Sequence, residues 1–197
     1  MNNLRKLLLV TFFTCLTGQE LYDPYTVHNM NIEFYNSNYD SILQARWYED
    51  DKSYLLADIT VNGVFYDSVG VRYKGNSSFV EPNNSGNPKL PFNIDVEFVH
   101  DDQNIMGYEK LKLSNSIFDP TFVRETIGYL SSGFYLPTPK AGYMNISIDG
   151  EELGLYVNAE SINKQFLRKH FGNDDGTFFK CEPQFQYGED YLAWPDL

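Results

Sequence analysis

The chain has 197 residues, of which 42% are hydrophobic and 16% aromatic. This length and apolar content are typical of a folded domain with its own core, and they exclude an intrinsically disordered chain. The 15 Lys and Arg against 27 Asp and Glu give a formal net charge of -12. Because nucleic-acid binding depends on basic residues that contact phosphates, this charge argues against a nucleic acid as the partner.

Residues 1–18 are typical of a cleavable secretory signal peptide. Arg5 and Lys6 precede an apolar run over residues 7–16. A membrane-spanning helix needs about 20 apolar residues, and neither this run nor any later stretch reaches that length. We therefore expect no membrane span and a mature domain over residues 19–197. Without Arg5 and Lys6 its formal charge is -14, and we expect it to be secreted, periplasmic or at the cell surface.

Alternating apolar and polar residues predict a sheet of mostly antiparallel strands. Strand-like segments occur over residues 30–35, 57–61, 64–73, 90–99, 110–113 and 177–181. The Asn62-Gly63 pair predicts a type I′ hairpin turn, because both residue types tolerate a positive φ. A second hairpin is predicted over residues 142–157 around Asp149-Gly150.

A short helix is predicted over residues 40–47, and two main helices follow it. The first main helix begins with Asp119 as its N-cap and ends at Gly133. Its apolar stripe consists of Val123, Ile127 and Leu130. The second main helix begins with Ser161 as its N-cap and ends at Gly172. Together with the strands, these helices predict an α+β fold with a mixed or antiparallel sheet.

The segment over residues 74–88 is rich in Gly, Asn and Ser, so we predict a loop without regular structure. It follows a strand that contributes basic residues to a chain in which positive charge is scarce. Backbone amides, hydroxyls and an ammonium group at its start are groups that bind an anion. These candidate groups belong to Arg72, Lys74, Gly75, Ser77 and Ser78. An ordinary tight turn with a solvated lysine remains the alternative.

Five separated motifs carry a resemblance to a known family. They are VGVRYKGNSS (69–78), KLPFNI (89–94), LKLSN (111–115), DPTFVRE (119–125) and GLYVNAE (154–160). In this order they resemble the spore coat protein H (CotH) kinase-like family, over residues 30 to about 182. The resemblance implies an atypical protein kinase, often secreted, that uses ATP and Mg²⁺ to phosphorylate Ser or Thr of extracellular or coat proteins.

The resemblance further implies that this chain is the amino-terminal, nucleotide-binding lobe of such a kinase. Residues 74–78 would cover the phosphates, Lys89 would contact the α- and β-phosphate oxygens, and Glu125 would hold the Lys89 ammonium in place. Glu160 would lie at the linker that binds adenine. The implied nucleotide-binding residues are Arg72, Lys74, Gly75, Asn76, Ser77, Ser78, Lys89, Glu125 and Glu160. From the residues alone, a surface lysine and a solvated helix carboxylate remain alternatives for Lys89 and Glu125.

A kinase also needs carboxylates that hold Mg²⁺ and orient the attacking hydroxyl, and these follow the linker helix. Asp174, Asp175 and Gly176 superficially resemble a metal-binding motif, but their position favours a turn from a helix to a strand. We therefore assign no metal ligand and no catalytic residue. We expect both beyond residue 197, so that this chain is a truncated domain without activity on its own.

Two function classes remain open from the sequence. In the first, the full-length protein is a secreted kinase whose acidic surface steers basic or Ser/Thr-rich protein substrates toward it. In the second, the domain is a non-catalytic extracellular binding module, or adhesin, whose many Tyr and Phe side chains form the contact surface. This second class does not require contact between Lys89 and Glu125.

Overall fold

The computed structural model describes residues 20–177 and 179, which divide after Ser161 into two compact units. The first unit contains, in chain order, β1 (Val27–Phe34), α1 (Tyr39–Tyr48), β2 (Leu55–Val61), β3 (Val64–Tyr73), α2 (Ser77–Asn84), β4 (Phe92–Asp95), β5 (Lys110–Ser114), α3 (Arg124–Ser132), β6 (Ala141–Ile148) and β7 (Glu151–Glu160). The second unit contains α4 (Lys164–Phe171).

The strands of the first unit close into a barrel in the order β1-β2-β3-β4-β5-β7-β6. Neighbouring strands run antiparallel, except β1 and β6, which pair in parallel with Val27 opposite Tyr143. Closure pairs every strand of the barrel on both sides, so no open edge is left. The predicted α+β class and the mixed sheet are confirmed. The closure of the sheet is a feature that the alternation of residues does not reveal.

Alternate side chains of each strand fill the barrel interior. In β2, for example, Leu55, Ala57, Ile59 and Val61 are all buried. Phe92 of β4 lies opposite Leu113 of β5, and both belong to the core. Because the side chains of a strand alternate between its two faces, the intervening residues of β4 and β5 point out of the barrel.

Both predicted hairpins form. Asn62 and Gly63 have φ angles of 50° and 83°, and Asp149 and Gly150 have φ angles of 50° and 83°. Positive φ at both central residues is what a type I′ turn requires. The strand predicted over residues 90–99 is shorter than expected, since β4 covers only four of its residues.

The prediction of an irregular loop over residues 74–88 is wrong, because α2 lies within it. Phe79 of this helix is fully buried and stacks on the Trp47 ring, with the ring centroids 4.2 Å apart. Its ring also lies 5.4 Å from that of Tyr73. The Gly, Asn and Ser content indicates low intrinsic helix propensity, but the burial of one aromatic residue against α1 and β3 offsets it.

The helix predicted to begin at Asp119 begins instead at Arg124. The Asp119 carboxylate still stabilises its start, because Oδ2 accepts a hydrogen bond of 2.8 Å from the Arg124 backbone N–H. The predicted stripe is not buried: Val123, Ile127 and Leu130 are 37%, 54% and 54% exposed. The barrel core is complete without them, and the residue that α3 buries is Thr126. The helix ends at Gly133, as predicted.

The second main helix, α4, has Asn163 rather than Ser161 as its N-cap. The Asn163 side-chain oxygen accepts a hydrogen bond of 3.1 Å from the Phe166 N–H. Gly172 ends the helix with a φ of 70°, as predicted. The leader over residues 1–18 lies outside the described residues, as does most of the strand predicted over residues 177–181.

Candidate functional site

A row of cationic and polar side chains lies on the outer face of β3, β4 and β5. Arg72 is opposite Asn93, which in turn is opposite Lys112. Directly opposed residues share a face, and the alternate positions of these strands fill the core, so the three side chains point outward. Lys74 and Ser114 lie two positions further along the chain and continue this face. Three cations of a strongly acidic chain are thus gathered on one stretch of the sheet.

Lys74 is a half-buried cation of this row. Its backbone N–H donates to the Pro91 carbonyl at 3.1 Å, and its Nζ donates to Ser114 Oγ at 3.1 Å. Burial of the ammonium lowers the pKa of Lys74 to about 8, while the Glu125 carboxylate acts to raise it and the Lys112 ammonium acts to lower it. Lys74 therefore still carries its charge at neutral pH, but it loses its proton far more easily than an ordinary lysine.

Glu125, in the first turn of α3, acts on Lys74 and not on Lys89. Its charge contributes to the pKa of Lys74, whereas the pKa of Lys89 is lowered by burial alone. Within the described ranges, no ion pair joins Lys89 and Glu125. No ion pair joins Glu125 to Lys74 in these ranges either, so Glu125 acts on the lysine at the end of β3 only through the effect of its charge on the pKa.

Lys89 has an aromatic rather than an acidic environment. Its Nζ lies 4.5 Å from the centre of the Phe122 ring and 5.2 Å from that of Tyr156. An ammonium over aromatic faces is stabilised by the ring quadrupoles. Aromatic rings therefore orient the Lys89 ammonium, whereas a hydrogen bond to Ser114 orients that of Lys74.

Asn115 holds together the two segments that carry Ser78 and Lys89. The residue is 3% exposed. Its Nδ2 donates one hydrogen to the Ser78 carbonyl at 2.9 Å and the other to the Lys89 carbonyl at 2.8 Å. One buried amide therefore anchors the first turn of α2 and the chain before β4 to the end of β5.

The turn at Gly75 leads from β3 into α2. Gly75 has a φ of 81°, and a Cβ at this position would overlap Ser78 Oγ. The positive φ disfavours a side chain at this position, and a Cβ would also require the Ser78 hydroxyl to rotate away. The Gly75 carbonyl accepts a hydrogen bond of 2.9 Å from Trp47 Nε1. This bond ties the turn to α1, so the start of α2 is held in place from two sides.

The first turn of α2 leaves backbone donors available for an anion. Asn76 is the N-cap, but its side chain makes no capping hydrogen bond. The amides of Ser77 and Ser78 donate to no described residue. Such amides carry a partial positive charge, and a helix start of this kind binds anions. The chemistry predicted for a loop is therefore present at the start of a helix.

Arg72 lies at the other end of the row of cations. Its guanidinium carbon is 5.2 Å from the centre of the Tyr54 ring. Its Nη1 makes one long hydrogen bond, of 3.4 Å, to the Tyr73 carbonyl. The buried Nε has no partner among the residues that the structure describes. A guanidinium with this much unused donor capacity suits a phosphate or a carboxylate.

Glu160 points away from the face of the sheet that carries the cations. It is the last residue of β7 and is opposite Leu111 of β5, which belongs to the barrel core. Its side chain therefore points to the inner face of the sheet, and the residue is 3% exposed. Its Oε2 accepts a hydrogen bond of 3.0 Å from the Lys140 backbone N–H. Arg72 and Lys112 point to the opposite, outer face.

Sequence reasoning missed Lys112, Ser114 and Asn115, although it singled out the LKLSN motif that contains them. The signal in the sequence was the alternation of apolar and polar residues within this motif. If its two leucines fill the core, Lys112 and Ser114 must share the outer face. The same rule applied to β3 puts Arg72 and Lys74 on the outer face as well.

No metal centre is seen in the described part of the chain. Within residues 20–177 and 179, no group of three or more His, Cys, Asp or Glu is arranged to hold a metal ion. Asp174 forms an ion pair with Arg168, and the Asp175 N–H donates to the Asn173 side chain, as in a turn that follows a helix.

No helix within residues 20–177 and 179 is long and apolar enough to cross a membrane.

The sequence model of the CotH kinase protein family matches residues 71–196. The chain belongs to the CotH kinase family. The matched range begins near the end of β3 and includes Arg72, Lys74, Lys112 and Glu125, so the row of cations and its carboxylate lie within the part that defines the family. No curated protein matches the chain.

Proposed function

We propose that this CotH-family domain binds ATP as the nucleotide-binding lobe of a secreted, atypical Ser/Thr protein kinase. The observation that supports this most directly is the Lys74 ammonium, which donates a hydrogen bond to Ser114 and is influenced by the charge of Glu125. Glu125 lies on a helix that follows Lys74 in the chain, as the glutamate of a kinase lobe follows its lysine. In this proposal Lys74 takes the role that the family resemblance implies for Lys89.

The outer face of the sheet supplies the charge that a nucleotide triphosphate needs. Lys74 and Lys112 would neutralise phosphate oxygens, and Glu125 would keep the Lys74 ammonium oriented. The free amides of Ser77 and Ser78 would donate to the same phosphates. Arg72 provides further donors at the end of the row. These contacts bind and position the phosphates, which is most of what a protein contributes to phosphoryl transfer.

In such a kinase Mg²⁺ would neutralise the negative charge of the phosphates during transfer. Within the described residues, no group of three or more His, Cys, Asp or Glu is arranged to hold a metal ion. We propose that its ligands, and the group that orients the attacking hydroxyl, lie outside the described residues.

The acidic charge of the chain supports a basic or Ser/Thr-rich protein as the phosphate acceptor. In the proposed reaction the γ-phosphate passes to a Ser or Thr hydroxyl, ADP leaves, and the hydroxyl proton is taken up by the orienting group. The leader-like residues 1–18 support a location outside the cytoplasm.

Calorimetric titration of the full-length protein with ATP and Mg²⁺ tests this proposal. We expect saturable binding that weakens about tenfold or more in Lys74→Met, since a buried charge contact to a phosphate is lost. Lys52→Met is the matched control, because Lys52 is an exposed lysine paired with Asp50. Lys89→Met should have a smaller effect than Lys74→Met. The absence of binding by the folded protein would contradict the proposal, and so would binding that Lys74→Met leaves unchanged.

An alternative function is a non-catalytic extracellular binding module. The observation that favours it is the exposed apolar surface at the end of α3 and in the turn after it. Phe134 and Tyr135 are 86% and 89% exposed, and Leu130 and Leu136 are 54% and 56% exposed. A surface of this kind is typical of a site that contacts another protein. Nucleotide binding is not needed for this function, so the titration above separates the two.

A further inference from the structure

A cavity with aromatic walls lies beside the start of β6. It has a volume of about 650 Å³ and is bounded by residues 20–24, the last turn of α3 and residues 138–141. We call it the Tyr22 cavity. Its volume is in the range of sites that accept a large side chain or a small ligand. None of the cations of the outer row belongs to its lining.

The walls of the Tyr22 cavity suit an apolar or aromatic occupant. Rings and prolines dominate the lining, which includes Tyr22, Pro24, Tyr129, Phe134 and Pro139. Phe134 is 86% exposed, and the neighbouring Tyr135 is 89% exposed. These two rings extend the apolar surface from the cavity mouth to the outside of the molecule. Aromatic residues are enriched at the centres of protein interfaces.

Tyr22 contributes its ring to the wall of the cavity. The residue is 3% exposed, and its hydroxyl is enclosed by the fold and makes no hydrogen bond to any described residue. Burial and the charge of Glu160 raise the pKa of Tyr22 far above its ordinary value, so the hydroxyl keeps its proton. An occupant of the cavity therefore meets the ring of Tyr22 and not its hydroxyl.

The charges around the cavity are mainly negative. Glu20 and Asp23 belong to its lining, and Glu160 lies close enough to influence Tyr22. Lys140 is the cation of the lining, and its Nζ is already bonded to Glu20 Oε2 at 2.7 Å. The excess of carboxylates repels an anion and attracts a cationic partner. The Tyr22 cavity is therefore not a second phosphate site.

We propose that the Tyr22 cavity is a docking site for a basic peptide segment of a partner protein. One apolar or aromatic side chain of the segment fills the cavity and packs against its rings. Lys or Arg residues beside that anchor lie near Glu20 and Asp23. None of these contacts involves a nucleotide, so the inference does not depend on the proposed kinase function. If the domain is a kinase, the segment belongs to its protein substrate.

Fluorescence anisotropy with a labelled synthetic peptide tests the docking site. The probe is an acetylated peptide with one Phe between two Lys-Lys pairs, titrated with the full chain. We expect saturable binding that weakens about tenfold when the peptide Phe is replaced by Ala, or in the variant Phe134→Ala, because an aromatic anchor carries much of an interface's binding energy. Tyr22→Phe keeps the ring and removes only the enclosed hydroxyl, so its affinity for the peptide should stay within about twofold of the wild type.

Two control variants separate docking from other effects. Phe65→Ala removes another exposed aromatic ring, 59% exposed on β3, and should bind the probe as the wild type does. Lys74→Met should also bind it normally, which distinguishes this site from the nucleotide site. Circular dichroism establishes that each variant is folded, and Phe134→Ala remains informative if Tyr22→Phe fails to fold.

Three results would overturn the inference. The first is the absence of saturable binding by the folded chain. The second is equal binding of the Phe and Ala peptides, since this would show attraction by charge alone. The third is an unchanged affinity in Phe134→Ala, which would place any peptide site elsewhere on the surface.

Discussion

The ammonium of Lys74 donates a hydrogen bond of 3.1 Å to the hydroxyl of Ser114, 40 positions away in the sequence. The two residues meet because β3 and β5 flank β4 and their outward positions are in register. This bond holds the ammonium against the sheet, where burial lowers its pKa. The protonation of Lys74 is therefore a property by which the candidate site can be tested.

We expect the affinity for ATP to fall as the pH rises through about 8, where Lys74 loses its proton. An ordinary lysine keeps its charge up to a pH of about 10.4, but the pKa of Lys74 is lowered to about 8. A neutral amine attracts phosphate less than an ammonium does. Calorimetry from about pH 7.5 to about pH 9.5 measures the effect. In Lys74→Arg the charge persists, so its affinity should change little over this range, and parallel profiles for both proteins would count against the site.

The same pKa shift predicts how stability depends on pH. Because the pKa of Lys74 is lower in the folded than in the unfolded state, the unfolded chain binds more protons between about pH 8 and about pH 10.4. The free energy of unfolding should therefore receive an increasing contribution from Lys74 over this interval. Below about pH 8 Lys74 is charged in both states, so burial of the charge destabilises the folded protein fully. Above about pH 10.4 the lysine is neutral in both states, and this destabilisation is absent. Urea denaturation should show this rise in the wild type but not in Lys74→Met. Equal pH profiles would argue against a buried charge at Lys74.

Gly75→Ala should destabilise the protein more than Gly63→Ala. Both glycines have a positive φ, but a Cβ at Gly75 would overlap Ser78 Oγ, whereas nothing lies within 4 Å of a Cβ at Gly63. We expect a loss of about 1 kcal/mol at Gly63 from backbone strain alone, and of about 2 to 3 kcal/mol at Gly75. Chemical denaturation of the two variants measures the difference. Equal losses would mean that the turn at Gly75 adjusts freely.

Asn115→Ala should cost about 2 to 3 kcal/mol of stability, because two hydrogen bonds are lost and two carbonyls are left without this partner. It should also weaken ATP binding, since Ser78 and Lys89 are no longer held together. Asn84→Ala is the control: Asn84 is exposed at the end of α2, and its replacement should change stability by less than about 0.5 kcal/mol. Denaturation and calorimetry measure both effects. Similar results for the two variants would remove Asn115 from the site.

Glu160→Gln should leave the affinity for ATP within about twofold of the wild type. Its carboxylate points to the inner face of the sheet, and the replacement amide oxygen can still accept the Lys140 N–H. Titration of the variant beside Lys74→Met is the measurement. A loss of affinity as large as in Lys74→Met would instead put adenine near Glu160, as the family resemblance implies.

Local patterns predicted much of the fold because they depend on neighbours in the sequence. Period-two alternation located the strands, and Asn62-Gly63 and Asp149-Gly150 specified their turns through the φ angles that these residues allow. The helix α2 escaped prediction because its stability comes from Phe79, whose partners on α1 and β3 lie far away in the sequence. The apolar stripe of α3 led to the opposite error. The helical period identifies one apolar face of the helix, but it does not show whether another element covers that face, and here the side chains are exposed.

The sequence by itself determined the family, the α+β class and the concentration of basic residues around the end of β3. Only the tertiary structure decided which of these residues meet. Barrel closure and strand register placed Lys74 beside Ser114 and within the field of Glu125, and they turned Glu160 to the inner face. The physical reason is that a side chain's face follows from local alternation, whereas its partner depends on which distant strand lies opposite and in what register.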